Sequence, residues 1–269
     1  MPSTDAFSTI TLDQDRSSGV ATITLDRADA ANAMNCPMAA ELRQAAVILA
    51  HDPGVRAVLI RSFGKVFCGG GDLAAFAGLS AQELPAYVDN LTIDLHAAVA
   101  RLAKMDAPVV VAVSGSAGGA GMSLVAACDL VVAGESAKFT MGYTKAGLMP
   151  DGTSSFFLAR VVGLLRATDL VLTNRVLTAR EAEDWGLVNR VVPDAEVQAA
   201  ALELATTLAN GPTRAFGLAK RVLIEGASSS LEEAMERESR SIGLAGATAD
   251  AREGIAAFLA KRPASFRGA

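Results

Sequence analysis

The stretch Val109–Asp129, VVVAVSGSAGGAGMSLVAACD, constrains the chain more than any other. Val109–Val113 is an unbroken apolar, β-branched run after Pro108, the pattern of a strand covered on both faces. Gly115, Gly118, Gly119 and Gly121 then admit positive φ and close backbone approach, and Met122–Ala127 is apolar all round, as a buried helix is. The pattern predicts a helix N-terminus inside the protein. The first N–H groups of that helix have no intrahelical acceptor, so burial calls for a capping group, a water or an anionic ligand oxygen. Phe67–Leu73, FCGGGDL, has the same character: it follows the apolar run Val55–Ile60, its glycines 69–71 leave backbone donors open, and Asp72 is placed as an N-cap. Two such donors aimed at one oxygen would form an oxyanion hole.

The rest of the chain reads as an α/β core followed by helices. Phe7–Leu12 and Val20–Leu25 predict a hairpin, and Pro37 opens a helix to about Ala50 with Met38, Leu42, Ala45, Ala46 and Leu49 on one face. Val55–Ser62 is the next strand and Ala81–Lys104 a long helix. Asp129–Ala133 and Ala137–Thr140 are short strands around a turn, and Val188–Val192 is the last strand, closed by Pro193. Ala195–Asn210, Thr213–Ile224, Leu231–Ile242 and Thr248–Leu259 are helical, which divides the chain into a core over 1–195 and a helical region over 196–269. The closing helices carry Ala and Leu stripes too rich for a solvated face, so burial against another subunit is expected.

Composition narrows the partners. A net charge of −5 lacks the basic footprint of a nucleic-acid surface. No run approaches the ~18 apolar residues of a membrane span, and Met1–Asp15 is too polar and acidic for a signal peptide. Cys36, Cys68 and Cys128 are odd in number and far apart, which suits a reducing cytoplasm better than a disulfide framework.

Several chemistries fail on spacing. No glycine of the central bend begins a complete G-x-G-x-x-G, and the helix after it is short for a dinucleotide crossover. Gly64-Lys65 lacks the glycine spacing and the Ser or Thr of a P-loop. Ser114-Gly115-Ser116-Ala117-Gly118 has Ser where a nucleophile elbow needs Gly, and the only histidines, His51 and His96, both precede it. Two isolated histidines and scattered cysteines supply no metal-ligand cluster. His51 reads as a cation at a helix C-terminus and His96 as a helix-face residue.

FCGGGDL and AVSGSAGGAGMSLVAACDL, together with NAMN at Asn32–Asn35, KFTMGYTKAGLMPDG at Lys138–Gly152 and AFLAKRPASF at Ala257–Phe266, resemble the enoyl-CoA hydratase/isomerase (crotonase) family in register over nearly the whole chain. The resemblance implies a spiral of ββα units with a helical trimerisation region, a homotrimer or dimer of trimers, and an acyl-CoA thioester as substrate. It implies no metal or other cofactor, coenzyme A being part of the substrate. It places the two thioester-binding N–H groups at Gly71 and Ala120, the adenine groove at the Ala31–Ala33 backbone, and further substrate contacts at Gly69, Asp72, Leu73, Ser123 and Tyr143. Ala31–Ala33 also reads as a plain surface loop, and Asp72 as a cap. Lys261 and Phe266 are placed to reach a neighbouring subunit's coenzyme A, or else form a solvated basic tail.

The two glutamates by which the family's hydratases activate water fall in register on Ser123 and Tyr143, and neither side chain is a general base near neutral pH. The remaining candidate is Asp151 in Leu148-Met149-Pro150-Asp151-Gly152, matching the Pro-Asp pair of the family's Δ3-Δ2-enoyl-CoA isomerases. Flanked by Leu148, Met149, Phe156 and Phe157, it is expected in a poorly solvated pocket suited to proton shuttling. Pro-Asp-Gly is also a good turn sequence. The expected activity is therefore double-bond isomerisation of an enoyl-CoA, with hydration through Asp151 and non-catalytic acyl-CoA binding as the alternatives.

Overall fold

The computed structural model describes residues 7–269; residues 1–6, the start of the polar stretch Met1–Asp15, lie outside the described residues. Strands β1 (Ile10–Asp15) and β2 (Val20–Leu25) form the expected antiparallel hairpin, Ile10 facing Leu25 and Asp15 facing Val20. β1 starts later than the alternation over Phe7–Leu12 suggests, because Ser8 and Thr9 donate their N–H groups to the Glu41 carboxylate instead of to β2. Helix α1 (Cys36–Ala50) begins where Asn35 Oδ1 accepts the Met38 N–H at 3.0 Å, with Pro37 in its first turn, and it buries Met38, Leu42, Ala45, Ala46 and Leu49 as predicted.

β3 (Ala57–Ser62), α2 (Leu73–Ala77), α3 (Leu84–Lys104) and β4 (Val109–Val113) follow. The central stretch then yields β5 (Ser116–Gly118), which its glycine content concealed, and α4 (Ala120–Ala127). β6 (Leu130–Gly134), β7 (Lys138–Thr140), α5 (Ser154–Val162) and α6 (Leu164–Thr173) lead to a two-residue β8 (Leu177–Thr178), α7 (Ala179–Asp184) and β9 (Arg190–Val192). The last four helices are α8 (Val197–Ala209), α9 (Thr213–Gly226), α10 (Leu231–Gly246) and α11 (Ala249–Leu259).

The main sheet runs in the order β1-β2-β3-β4-β6-β9 and is parallel from β2 onward; β5, β7 and β8 make a second, small sheet. Both faces of the main sheet are covered, which is why its strands read as continuous apolar runs. α8 lays Val197, Ala201, Ala205 and Ala209 on one face, against Val20, Leu59, Val110, Ala112 and Val132. α1 and α3 pack together on the other side, with Ile23, Ile60, Val111 and Val113 in their core. Fully burying an aliphatic side chain of this kind contributes roughly 1.5–3 kcal/mol, so the central strands anchor the loops that leave their ends.

The helical C-terminal region differs. α10 buries none of its residues, and Leu223, Leu231, Met235, Ile242 and Phe258 are exposed. The final segment folds back on its own chain: Asp250 accepts the N–H groups of Arg267 and Gly268, both at 2.7 Å, and the Phe266 ring lies against Gly254. Lys261 follows α11 in a left-handed conformation at φ 51°.

Candidate active site

A cavity of about 370 Å³ opens between the two glycine loops, α2, α3 and the segment from Thr140 to Asp151. Leu73, Phe76, Val88, Leu91, Leu148 and Met149 give it apolar walls, and Asp89 and Asp151 are the carboxylates on its lining.

One wall is main chain. Met34 donates its N–H to Gly70 O at 2.7 Å and accepts the Asp72 N–H at 2.9 Å, so the parallel bridge engages the residues on either side of Gly71 and directs the Gly71 N–H away from Met34. Ala120 is the first residue of α4, and its N–H has no intrahelical acceptor. Gly71 and Ala120 both line the cavity. The loops that carry them touch through backbone: a Cβ on Gly119 would sit 3.2 Å from Gly70 Cα, and one on Gly121 would sit 2.6 Å from both Cβ and O of Cys68. Gly118 donates its N–H to Cys68 O at 2.8 Å and Gly119, at φ 47°, donates to Thr140 O at 3.0 Å. Glycine is required here because any side chain would force apart the two loops whose donors share the wall.

Behind this wall lies a brace that the sequence did not reveal. Arg27 donates from its guanidinium to Ala33 O at 2.5 Å and to Asp72 Oδ2 at 2.9 Å, while Asp72 Oδ1 caps α2 by accepting the Ala75 N–H at 3.1 Å. Burial works against the charged Asp72 carboxyl, but the Ala75 N–H and the Arg27 guanidinium outweigh it and hold the carboxyl below the usual carboxylate range. Ala31, at φ 52°, accepts the Gly69 N–H at 2.9 Å. Ala31, Ala33 and Asp72 thus support the loop from outside the cavity, whereas Gly69 and Leu73 line it.

A second part of the lining is side chain. Tyr143 donates its hydroxyl to Asp151 Oδ1 at 2.5 Å. Ser123, 1% exposed, sits one bond further back, its Oγ 3.3 Å from the Tyr143 hydroxyl and 3.2 Å from Gly119 O. Withdrawal from water, then the Asp151 charge, push the Tyr143 hydroxyl well above the usual tyrosine range, so it remains a proton donor. Asp151 is half-buried on the cavity lining beside Leu148 and Met149. Phe156 and Phe157 are absent from that lining: they stack edge to face on α5 with centroids 4.9 Å apart, and Arg160 covers Phe156. Helical phase turns them away, so the surroundings of Asp151 are less apolar than the sequence suggests.

Sequence reasoning also missed Phe76, Asp89 and Thr92. The orientation of α2 and α3 over the cavity depends on docking against distant elements, and no local pattern marks it. The Phe76 ring lies where a Cβ on Gly71 would be 3.2 Å away, and it stacks edge to face on Tyr87.

The sequence profile described as enoyl-CoA hydratase/isomerase matches residues 15–269. The chain is 37% identical over 250 residues to the 1,2-epoxyphenylacetyl-CoA isomerase of Escherichia coli (strain K12), covering 93% of this chain and 95% of that one. It is 37% identical over 224 residues to 4-chlorobenzoyl coenzyme A dehalogenase-2 of Arthrobacter sp, covering 83% and 81%. The crystal structure of an enoyl-CoA hydratase from Polaromonas sp. JS666 superposes with a TM-score of 0.90 at 31% identity, over 96% of this chain and all of that one. The chain therefore belongs to the enoyl-CoA hydratase/isomerase (crotonase) family, with that family's α/β fold and helical C-terminal region. The names of these relatives span three reactions, all on coenzyme A thioesters, so membership alone does not specify the chemistry.

Proposed function

We propose that this protein is an enoyl-CoA isomerase that moves a double bond from the 3- to the 2-position of an acyl-CoA thioester. The thioester oxygen lies between the N–H groups of Gly71 and Ala120, where the positive end of α4 adds to the stabilisation of an enolate. Asp151 removes a proton from C2 of the 3-enoyl chain, the electron pair delocalises toward the thioester oxygen, and the protonated Asp151 returns the proton to C4. The carboxylate is regenerated and the product is conjugated. Coenzyme A arrives as part of the substrate, and the reaction as written calls for no metal or redox cofactor.

The observation that carries this reading is the placement of Asp151 on the cavity lining while Ser123 and Tyr143 occupy the positions that the resemblance assigns to the water-activating glutamates. A serine and a tyrosine held protonated are poor water activators. The exposed apolar residues of α9 to α11 support the accompanying proposal of a trimer or a dimer of trimers, because α10 finds no burial within its own chain.

The test supplies purified protein with a trans-3-enoyl-CoA and, separately, a trans-2-enoyl-CoA, following absorbance of the conjugated thioester. Conjugation gained from the 3-enoyl substrate, and lost in Asp151→Asn, is the expected result. Conjugation lost from the 2-enoyl substrate identifies a hydratase instead, and binding without reaction in either case identifies a non-catalytic acyl-CoA binder.

A further inference from the structure

We propose that Tyr143, anchored by Ser123, is the positioning residue of the proton-transferring carboxylate: it holds Oδ1 of Asp151 and leaves Oδ2 as the oxygen that meets the substrate. The inference rests on the reading of Asp151 as the base. Tyr143 has a single hydroxyl proton, and the 2.5 Å contact with a carboxylate oxygen takes it. Ser123 is then the donor in its pair with Tyr143, sharing its proton between Gly119 O and the tyrosine oxygen. Asp151 Oδ2 has no hydrogen-bond partner among the described residues.

The other end of this chain of contacts is fixed. Ser123 is buried in the first turn of α4, and Gly119 is the residue that precedes Ala120. The Asp151 carboxylate is therefore referenced, through two side chains, to the backbone turn that carries one of the two thioester donors. Gly152 assists from the same side: at φ 60°, a Cβ there would lie 3.0 Å from Ser123 Cβ. Burial and the neighbouring charge keep the Tyr143 hydroxyl protonated, so the bond persists through the cycle. While Asp151 is ionised, Tyr143 donates to a carboxylate oxygen; once Oδ2 carries the substrate proton, Tyr143 donates to the carbonyl oxygen of the acid. The proton is thereby held over one face of the substrate between C2 and C4.

This arrangement predicts retention. With substrate deuterated at C2, wild-type enzyme delivers a large share of the label to C4 before exchange with solvent. Tyr143→Phe keeps the ring and removes the clamp; kcat falls by about a hundredfold, as loss of reactive geometry does, KM for the enoyl-CoA stays close to wild type, and label retention drops. Ser123→Ala, which removes only the anchor, shows the same loss of retention to a smaller degree. A Tyr143→Phe enzyme with unchanged kcat and unchanged retention overturns the inference, even if it melts at a lower temperature, because a merely structural tyrosine would move the melting point alone.

The contact has a readout independent of turnover. The chain has 2 tyrosines, so tyrosinate absorbance can be followed residue by residue, with Tyr143→Phe assigning the signal. Asp151→Asn removes the charge that opposes ionisation, and the Tyr143 transition moves to lower pH; if it stays where it is in the wild type, the pairing is wrong. Wild-type protein inert toward 3-enoyl-CoA would overturn the isomerase reading, and this titration then decides the pairing by itself.

Discussion

The two walls of the cavity are built from different parts of the chain. The wall formed by residues 69–71 and 118–120 is peptide backbone, fixed by inter-loop hydrogen bonds and by glycines that nothing larger could replace, such as Gly121 against Cys68. The wall formed by Tyr143 and Asp151, backed by the buried Ser123, is a short series of side chains. A backbone wall is indifferent to most substitutions outside its glycines and, on the proposed reading, polarises the thioester carbonyl set against it; a side-chain wall changes its chemistry with each residue.

Breaking each wall separately gives different failures. The largest effect belongs to Asp151→Asn, which removes the proposed base without altering shape; kcat falls by about a hundredfold to ten-thousandfold, while enoyl-CoA affinity, measured by isothermal titration calorimetry, is retained. Ala120→Pro attacks the other wall. Proline is tolerated at the first helical position, where the N–H has no helix partner, so the donor is lost while α4 survives. The expected loss is about a hundredfold to a thousandfold in kcat, read by the same absorbance assay, with far-ultraviolet dichroism unchanged.

Smaller effects test the scaffold. Gly121→Ala forces a methyl to within 2.6 Å of Cys68 and should destabilise the fold by about 1–3 kcal/mol in urea melts. Asp72→Ala removes the α2 cap and the Arg27 partner and should cost about 1 kcal/mol at neutral pH. The pH dependence has a defined sign: Asp72 has a depressed folded-state pKa, so its contribution is present above the unfolded value and lost as pH falls through the folded one. Wild type and Asp72→Ala should therefore converge in stability on acidification below about pH 4, measured by urea melts across an acid series.

What was legible in the sequence follows the same division. The strand Val109–Val113, the buried helix after it, the capping role of Asp72 and the apolar face of α1 were readable because each is a local pattern: continuous apolar runs, glycine clusters, a cap, a helical period. β5 and β8 were not, being short strands of three and two residues whose existence depends on pairing with β7. Arg27 was missed because its partners, Ala33 O and Asp72, meet it only in three dimensions. Asp151 was singled out through its match to the family's Pro-Asp pair, Pro-Asp-Gly by itself reading as a turn, but its contact with Tyr143 and the turning away of Phe156 and Phe157 depend on the phase of α5 and the course of residues 141–152, which no periodicity encodes.

On the proposed reading, the backbone wall polarises the thioester and the side-chain wall reacts with it. The most direct measurement is the infrared stretching frequency of the thioester carbonyl in bound trans-2-butenoyl-CoA, isotope-edited with carbon-13 at C1, in wild type, Asp151→Asn and Ala120→Pro. The expected result is a shift to lower frequency on binding that persists in Asp151→Asn and is largely lost in Ala120→Pro. A shift that survives Ala120→Pro, or that disappears with Asp151→Asn, would contradict it.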